Sequence, residues 1–89
     1  MTTITHKHEN GYGIRRSKKA CNDLADYITR FFDLNVTFYG RYEYDATGKS
    51  YVSIAERNEL HVFDTQTDAY HFISNLDYEL TEAELATAC

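Results

Sequence analysis

From Val36 to Asp64 apolar and polar residues alternate in three short runs, broken at Asp45–Lys49 and again at Glu56–Asn58. Alternation of period two between turn residues predicts three β-strands joined as an antiparallel meander. Asp45-Ala46-Thr47-Gly48-Lys49 fits a three-residue hairpin loop in which Gly48 takes a positive φ without strain. Closing that loop on Asp45 and Lys49 sets Tyr42 opposite Val52 and Gly40 opposite Ile54. Glu56-Arg57-Asn58 fits the same loop type, with Asn58 in the left-handed position. Leu60 then faces Ile54, and Val62 faces Val52.

This register sorts the side chains into two faces. Val36, Phe38, Tyr42, Tyr44, Val52, Ile54, Leu60 and Val62 form the expected core face. Thr37, Tyr39, Arg41, Glu43, Tyr51, Ser53, Ala55, Glu59, His61 and Phe63 form the outer one. A two-residue Arg57-Asn58 loop would turn His61 and Phe63 inward, and is rejected because it exposes Leu60 and Val62 together.

Helices are expected on both sides of the meander. Over residues 17–34, Ala20, Cys21, Leu24, Tyr27, Ile28, Phe31 and Phe32 recur at three- and four-residue spacing. Ser17 is the expected N-cap, Asn35 the stop, and Asp26 and Arg30 an i, i+4 pair. Thr65-Gln66-Thr67-Asp68 opens a second helix with Ala69, Phe72, Ile73 and Leu76 on one face. A break is expected around Asn75–Glu79. The box Thr81-Glu82-Ala83-Glu84, with Leu80 and Leu85 as its staple, then starts a short third helix over residues 82–88. The order is α-β-β-β-α-α: an α+β domain over residues 15–89 with the helices on one sheet face. Residues 1–14 read as an arm, with Asn10-Gly11 able to turn a small hairpin between Ile4 and Ile14.

Composition narrows the class. An 89-residue chain with 43% apolar residues is one domain and too hydrophobic for disorder. No apolar run reaches membrane-span length, the first 15 residues are too polar for a signal peptide, and two cysteines make no disulfide framework. Cytoplasmic residence is expected. Cys21 lies in the apolar stripe as an inert thiol. His6 and His8 supply two ligands where a structural zinc needs four, so solvated arm histidines are expected, without metal or cofactor.

Charge divides the chain. Residues 1–58 carry all nine Lys and Arg against seven acids, a net of +2; residues 59–89 carry seven acids and no Lys or Arg, a net of −7. Arg15, Arg16, Lys18 and Lys19 crowd the start of the first helix, as a phosphate or acidic-partner site or as a cluster neutralised by the acidic end of the same chain. His71 is read as a boundary histidine. A catalytic grouping would have to come from Arg41, Glu43, Tyr51 and His61 on a flat, solvated sheet, so an enzyme is not expected. The outer-face aromatics Tyr39, Tyr51, His61 and Phe63, beside Arg41 and Glu43, are what the centre of a protein interface contains. A homodimer on this face, or the arm folded over it, are the alternatives to a foreign partner.

The order α-β-β-β-α resembles, in topology alone, the double-stranded-RNA-binding domain. That family grips phosphates with a lysine-rich start to its last helix, whereas Asp64-Thr65-Gln66-Thr67-Asp68 here is acidic and holds no Lys. Direct nucleic-acid binding would therefore fall to Arg15–Lys19. Size, acidity and element order together resemble the small phage-borne inhibitors of host defence, anti-CRISPR proteins among them. Some of these use acidic residues on a sheet and its loops to occupy a nucleic-acid-binding surface of their target. The resemblance implies a protein-binding inhibitor or adaptor, with Glu43, Asp45, Glu56, Glu59 and Asp64 in that part and Asp77, Glu79, Glu82 and Glu84 behind them.

Overall fold

A computed structural model of the chain describes residues 1–8 and 14–87. Strand β1 (Thr2–Thr5) precedes helix α1 (Lys18–Phe32), strands β2 (Val36–Tyr39), β3 (Ser50–Ile54) and β4 (Glu59–Phe63), and helix α2 (Gln66–Thr87). The fold is α+β, but its sheet is mixed and four-stranded in the order β1-β4-β3-β2. The expected meander forms three of those strands. The fourth is β1, parallel to β4, taken from the residues expected to be an arm. The Asn10-Gly11 hairpin lies outside the described residues.

Helix α1 begins where its cap chemistry dictates: the Ser17 hydroxyl accepts from the Ala20 N–H at 3.1 Å. It stops earlier than Asn35. Asp33 takes the left-handed conformation at φ 55°, and Asn35 instead donates its backbone and side-chain N–H groups to Glu56, both at 2.7 Å. The i, i+4 ion pair that forms on this helix is Lys19–Asp23 at 2.9 Å. Cys21, Ala25 and Ile28 are buried against Val36, Phe38, Val52 and Ile54 of the sheet and Ala69, Ile73 and Leu76 of α2.

The first hairpin keeps its faces but not its loop. Val36 pairs with Ile54 and Phe38 with Val52, four positions from the expected register. An even shift preserves which side chains face inward. The chain leaves the ladder at Gly40, where Glu43 accepts the Gly40 N–H and donates its own N–H to the Gly40 carbonyl. Tyr42 and Tyr44, expected in the core, are exposed in the resulting 40–49 loop, and Tyr42 has a φ of 65°. Asp45 stabilises this loop against pairing: it accepts the Thr47 N–H and hydroxyl and the Tyr51 hydroxyl.

The second hairpin slips by one residue, and that flips every side chain of β4. Ile54 pairs with Glu59 and Val52 with His61, because the connection is a 3₁₀ turn at Ala55–Arg57 followed by Asn58, left-handed as expected. His61 and Phe63 therefore point inward, 5% and 3% exposed, and Leu60 and Val62 point outward. This facing is the one that a two-residue Arg57-Asn58 loop would also give, but the observed register differs from that loop's by two positions, and the exposure of Leu60 and Val62 does not arise. They are only 6% and 7% exposed, because the rings of Tyr39 and Tyr51 pack on them. Tyr44 reaches back from the loop to both rings, at centroid distances of 5.2 and 4.4 Å.

Helix α2 begins as expected, with the Thr65 hydroxyl accepting the Asp68 N–H at 3.1 Å and donating to its carboxylate at 2.9 Å. The expected break at Asn75–Glu79 and the separate helix over 82–88 do not occur. No Gly or Pro lies between Gln66 and Thr87 to enforce one. Leu80 continues the inward stripe instead of stapling Leu85, which stands 63% exposed.

Candidate functional site

The outer sheet face does not present the expected docking patch. His61 and Phe63 belong to the core side, Tyr51 is buried and Tyr39 is half-buried. Arg41 and Glu43 sit in the 40–49 loop, off the sheet. The acidic candidates nearby have partners within the chain. Lys18 bonds Glu43 at 2.7 Å and, with the Gly40 N–H, keeps its carboxyl below the usual range. Thr47 and then Tyr51 do the same for Asp45. Glu56 is held low by its own backbone N–H and by Asn35. Glu59 bonds His61 at 3.0 Å, and Asp64 lies 3.8 Å from Lys49.

Both arm histidines are expected to be solvated, and both find partners in the fold, although His8 stays exposed. His6 stacks on Phe63 at 4.5 Å and shares a 2.7 Å hydrogen bond with His61. Burial, and then the nearby His61, lowers the His6 pKa. His8 meets the buried Asp68 carboxylate at 2.6 Å. Pattern reading had no handle on these pairings, which depend on β1 lying beside β4. Among the described residues, no three His, Cys, Asp or Glu side chains gather as metal ligands would. Burial raises the Cys21 thiol to about 11, and its S–H points at the Gln66 carbonyl, 3.5 Å away, so it is no nucleophile.

The basic cluster divides in two. Lys18 and Lys19 are paired, with Glu43 and Asp23. Arg15 and Arg16 turn instead to an open groove of about 840 Å³, where they meet Arg41, His8, Gly48, Ser50 and the segment Asp64–Thr67 at the start of α2. The Arg16 N–H donates to Thr67 Oγ1 at 3.2 Å, and its guanidinium lies over the Tyr70 ring, 4.5 Å from the centroid. Arg16 Nε is buried, and among the described residues no protein group accepts from it. Alternation predicts Arg41 on the outer sheet face; the long 40–49 loop carries it to this groove instead, and no local pattern announces that.

The opposite end of α2 is acidic. Residues 81–86 are all exposed, and Asp77, Glu79, Glu82 and Glu84 belong to this half of the helix, which has no basic residue in its last turn. Tyr78 and Leu85, 67% and 63% exposed, stand seven positions apart and so share one face. No helix among the described residues is long and apolar enough to cross a membrane. Neither a protein-family model, nor a curated protein, nor a solved structure matches this chain.

Proposed function

We propose that this protein is a small acidic binding module of the cytoplasm, without catalytic activity, that docks on a basic, nucleic-acid-handling protein. The observation that carries the reading is the uninterrupted α2. Its last turns run beyond Leu80 and display Tyr78 and Leu85 among Glu79, Glu82 and Glu84. Apolar positions on one line of an exposed helix, framed by carboxylates, are the chemistry of an element laid into a groove with a basic rim. Glutamates at a helix C-terminus also oppose the macrodipole, which makes them costly for the fold and useful toward a cationic partner. Occupation of a nucleic-acid-binding surface, the mode of phage and mobile-element inhibitors, fits this charge. The docking element is then the end of α2 rather than the sheet. A homodimer on the outer sheet face finds little to bury, because Tyr51, Leu60 and Val62 are already covered.

The test uses capture and competition. A Tyr78→Ser, Glu79→Gln, Glu82→Gln variant should keep its circular dichroism and thermal midpoint but lose a protein captured by the parent from nuclease-treated bacterial lysate. The parent should also displace nucleic acid from the captured protein. Equal capture by the variant, or no displacement, defeats the reading. The alternative, grip on duplex nucleic acid through Arg15, Arg16, Lys18 and Lys19, predicts salt-sensitive retardation of a duplex. None is expected at physiological salt, since both lysines are already paired.

A further inference from the structure

The groove at the start of α2 lies away from the acidic end of that helix and has a charge problem of its own. Arg15, Arg16 and Arg41 converge on it from two segments of the chain. Among the described residues, two carboxylates of the neighbourhood are engaged elsewhere: Glu43 by Lys18, and Asp68 by His8 and Thr65. Among the described residues, none of the three arginines has an ion pair within 4.0 Å. Asp64 also lines the groove, and Lys49, 3.8 Å from it, offsets its charge. A chain of net charge −5 thus gathers around one concavity three guanidinium groups that no carboxylate among the described residues pairs with.

We infer that this groove is a binding site for a phosphate-bearing small ligand of nucleotide size. Guanidinium groups present planar forks that match phosphate oxygens two at a time, which ammonium groups do not. Here the groove has kept the arginines and the lysines have gone to carboxylates. Arg16 is pre-set for the task, fixed by Tyr70 beneath its guanidinium and by Thr67 at its N–H. The first-turn amides of α2, at Gln66 and Thr67, have no acceptor within the helix and add donors of the right sign. Thr67 Oγ1 accepts from Arg16, which leaves its O–H to donate. A volume of about 840 Å³ admits more than a lone phosphate and lies within the range of small-ligand sites. Tyr42, mostly exposed, has Arg41 over its ring at 5.2 Å and packs against Gly48 of the groove wall, where a flat group could stack.

The experiment is a titration of the isotopically labelled protein with inorganic pyrophosphate and with adenosine 5′-diphosphate, followed by amide and arginine side-chain NMR signals, with sodium acetate at matched ionic strength as the control. Pyrophosphate should shift Arg15, Arg16, Arg41 and residues 64–67, and acetate should not. Tighter binding of the nucleotide would place its base against the groove wall; equal binding would leave the site to phosphate alone. Arg41→Gln, on an exposed loop, should weaken pyrophosphate about tenfold with the rest of the spectrum unchanged. A Lys19→Gln protein, which loses only the pair with Asp23, should bind as the parent does. Absence of shifts at the three arginines, equal effects of acetate, or a loss as large in the lysine variant as in Arg41→Gln would overturn the proposal. Because the readout is confined to this groove, the outcome is independent of whether the acidic end of α2 captures a partner.

Discussion

The two halves of α2 share one backbone and differ in everything that holds them. From Gln66 to Leu76 the helix is capped by Thr65, buries Ala69, Ile73 and Leu76, and has its acid Asp68 fixed by Thr65 and His8. From Thr81 onward every side chain through Ala86 is exposed, and Glu82 and Glu84 sit against the unfavourable end of the helix dipole. One half is helical because the core requires it. The other is helical by propensity and by continuation, since extending a helix is far cheaper than starting one. A surface meant for a partner can be made this way, as an extension whose composition answers to the partner and not to the core.

Substitutions should separate the halves sharply. Ile73→Ala, at a fully buried site, should destabilise the protein by about 2–5 kcal/mol in urea, whereas Leu85→Ala should stay within about 0.5 kcal/mol of the parent. Similar losses at both positions would dissolve the distinction. Next in size is the cap: Thr65→Ala should cost about 1–2 kcal/mol, since it strips the Asp68 N–H of its acceptor and the Asp68 carboxylate of a donor. Amide hydrogen exchange should then show residues 82–87 opening locally while residues 69–77 exchange only on global unfolding.

The clasp that holds β1 near the first half gives a pH test. Folding lowers the His6 pKa, first by burial and then by the proximity of His61. The unfolded chain therefore binds more protons in the window just below 6.5, and stability must rise with pH there. The contribution is complete above about 6.5, the ordinary histidine value, and is lost as pH falls through the folded value. Thermal midpoints of the parent should climb from pH 5.5 to 7.5 more steeply than those of His6→Gln; parallel profiles would show that His6 does not contribute. The smallest effect belongs to the acidic end. Glu82→Gln with Glu84→Gln should raise stability by a few tenths of a kcal/mol through the relieved dipole, and a loss of stability would mean that these carboxylates support the fold.

What could be read beforehand followed local rules. Ser17 and Thr65 cap where their hydroxyls can reach a first-turn amide, and Asn58 takes the left-handed turn because its side chain tolerates it. The apolar spacing of α1 and the inward set Val36, Phe38, Val52 and Ile54 are local too. Registers were another matter. The one-residue slip of β4 turned on whether Leu60 and Val62 could be covered from outside, and the cover comes from Tyr39 and Tyr51, backed by Tyr44 from a loop that alternation predicts as strand. The pairing of β1 with β4 and the arrival of Arg41 at the groove depend on contacts between distant segments, so the candidate site was legible only as its Arg15–Arg16 half.

Strand β1 also has a consequence for how the protein is made. Its clasp residue His6 and the partner His61 are 55 positions apart, so β1 emerges from the ribosome long before the strand it needs. At about 5–20 residues per second that interval is roughly 3–10 s, in which the segment has nothing to pair with. A nascent strand left open for seconds is a hazard in proportion to its apolar and β-forming content. Thr-Thr-Ile-Thr is a mild sequence to leave waiting, where Leu-His-Val-Phe of β4 would not be, and the stickier strand is the one that finds its neighbour β3 immediately before it in the chain.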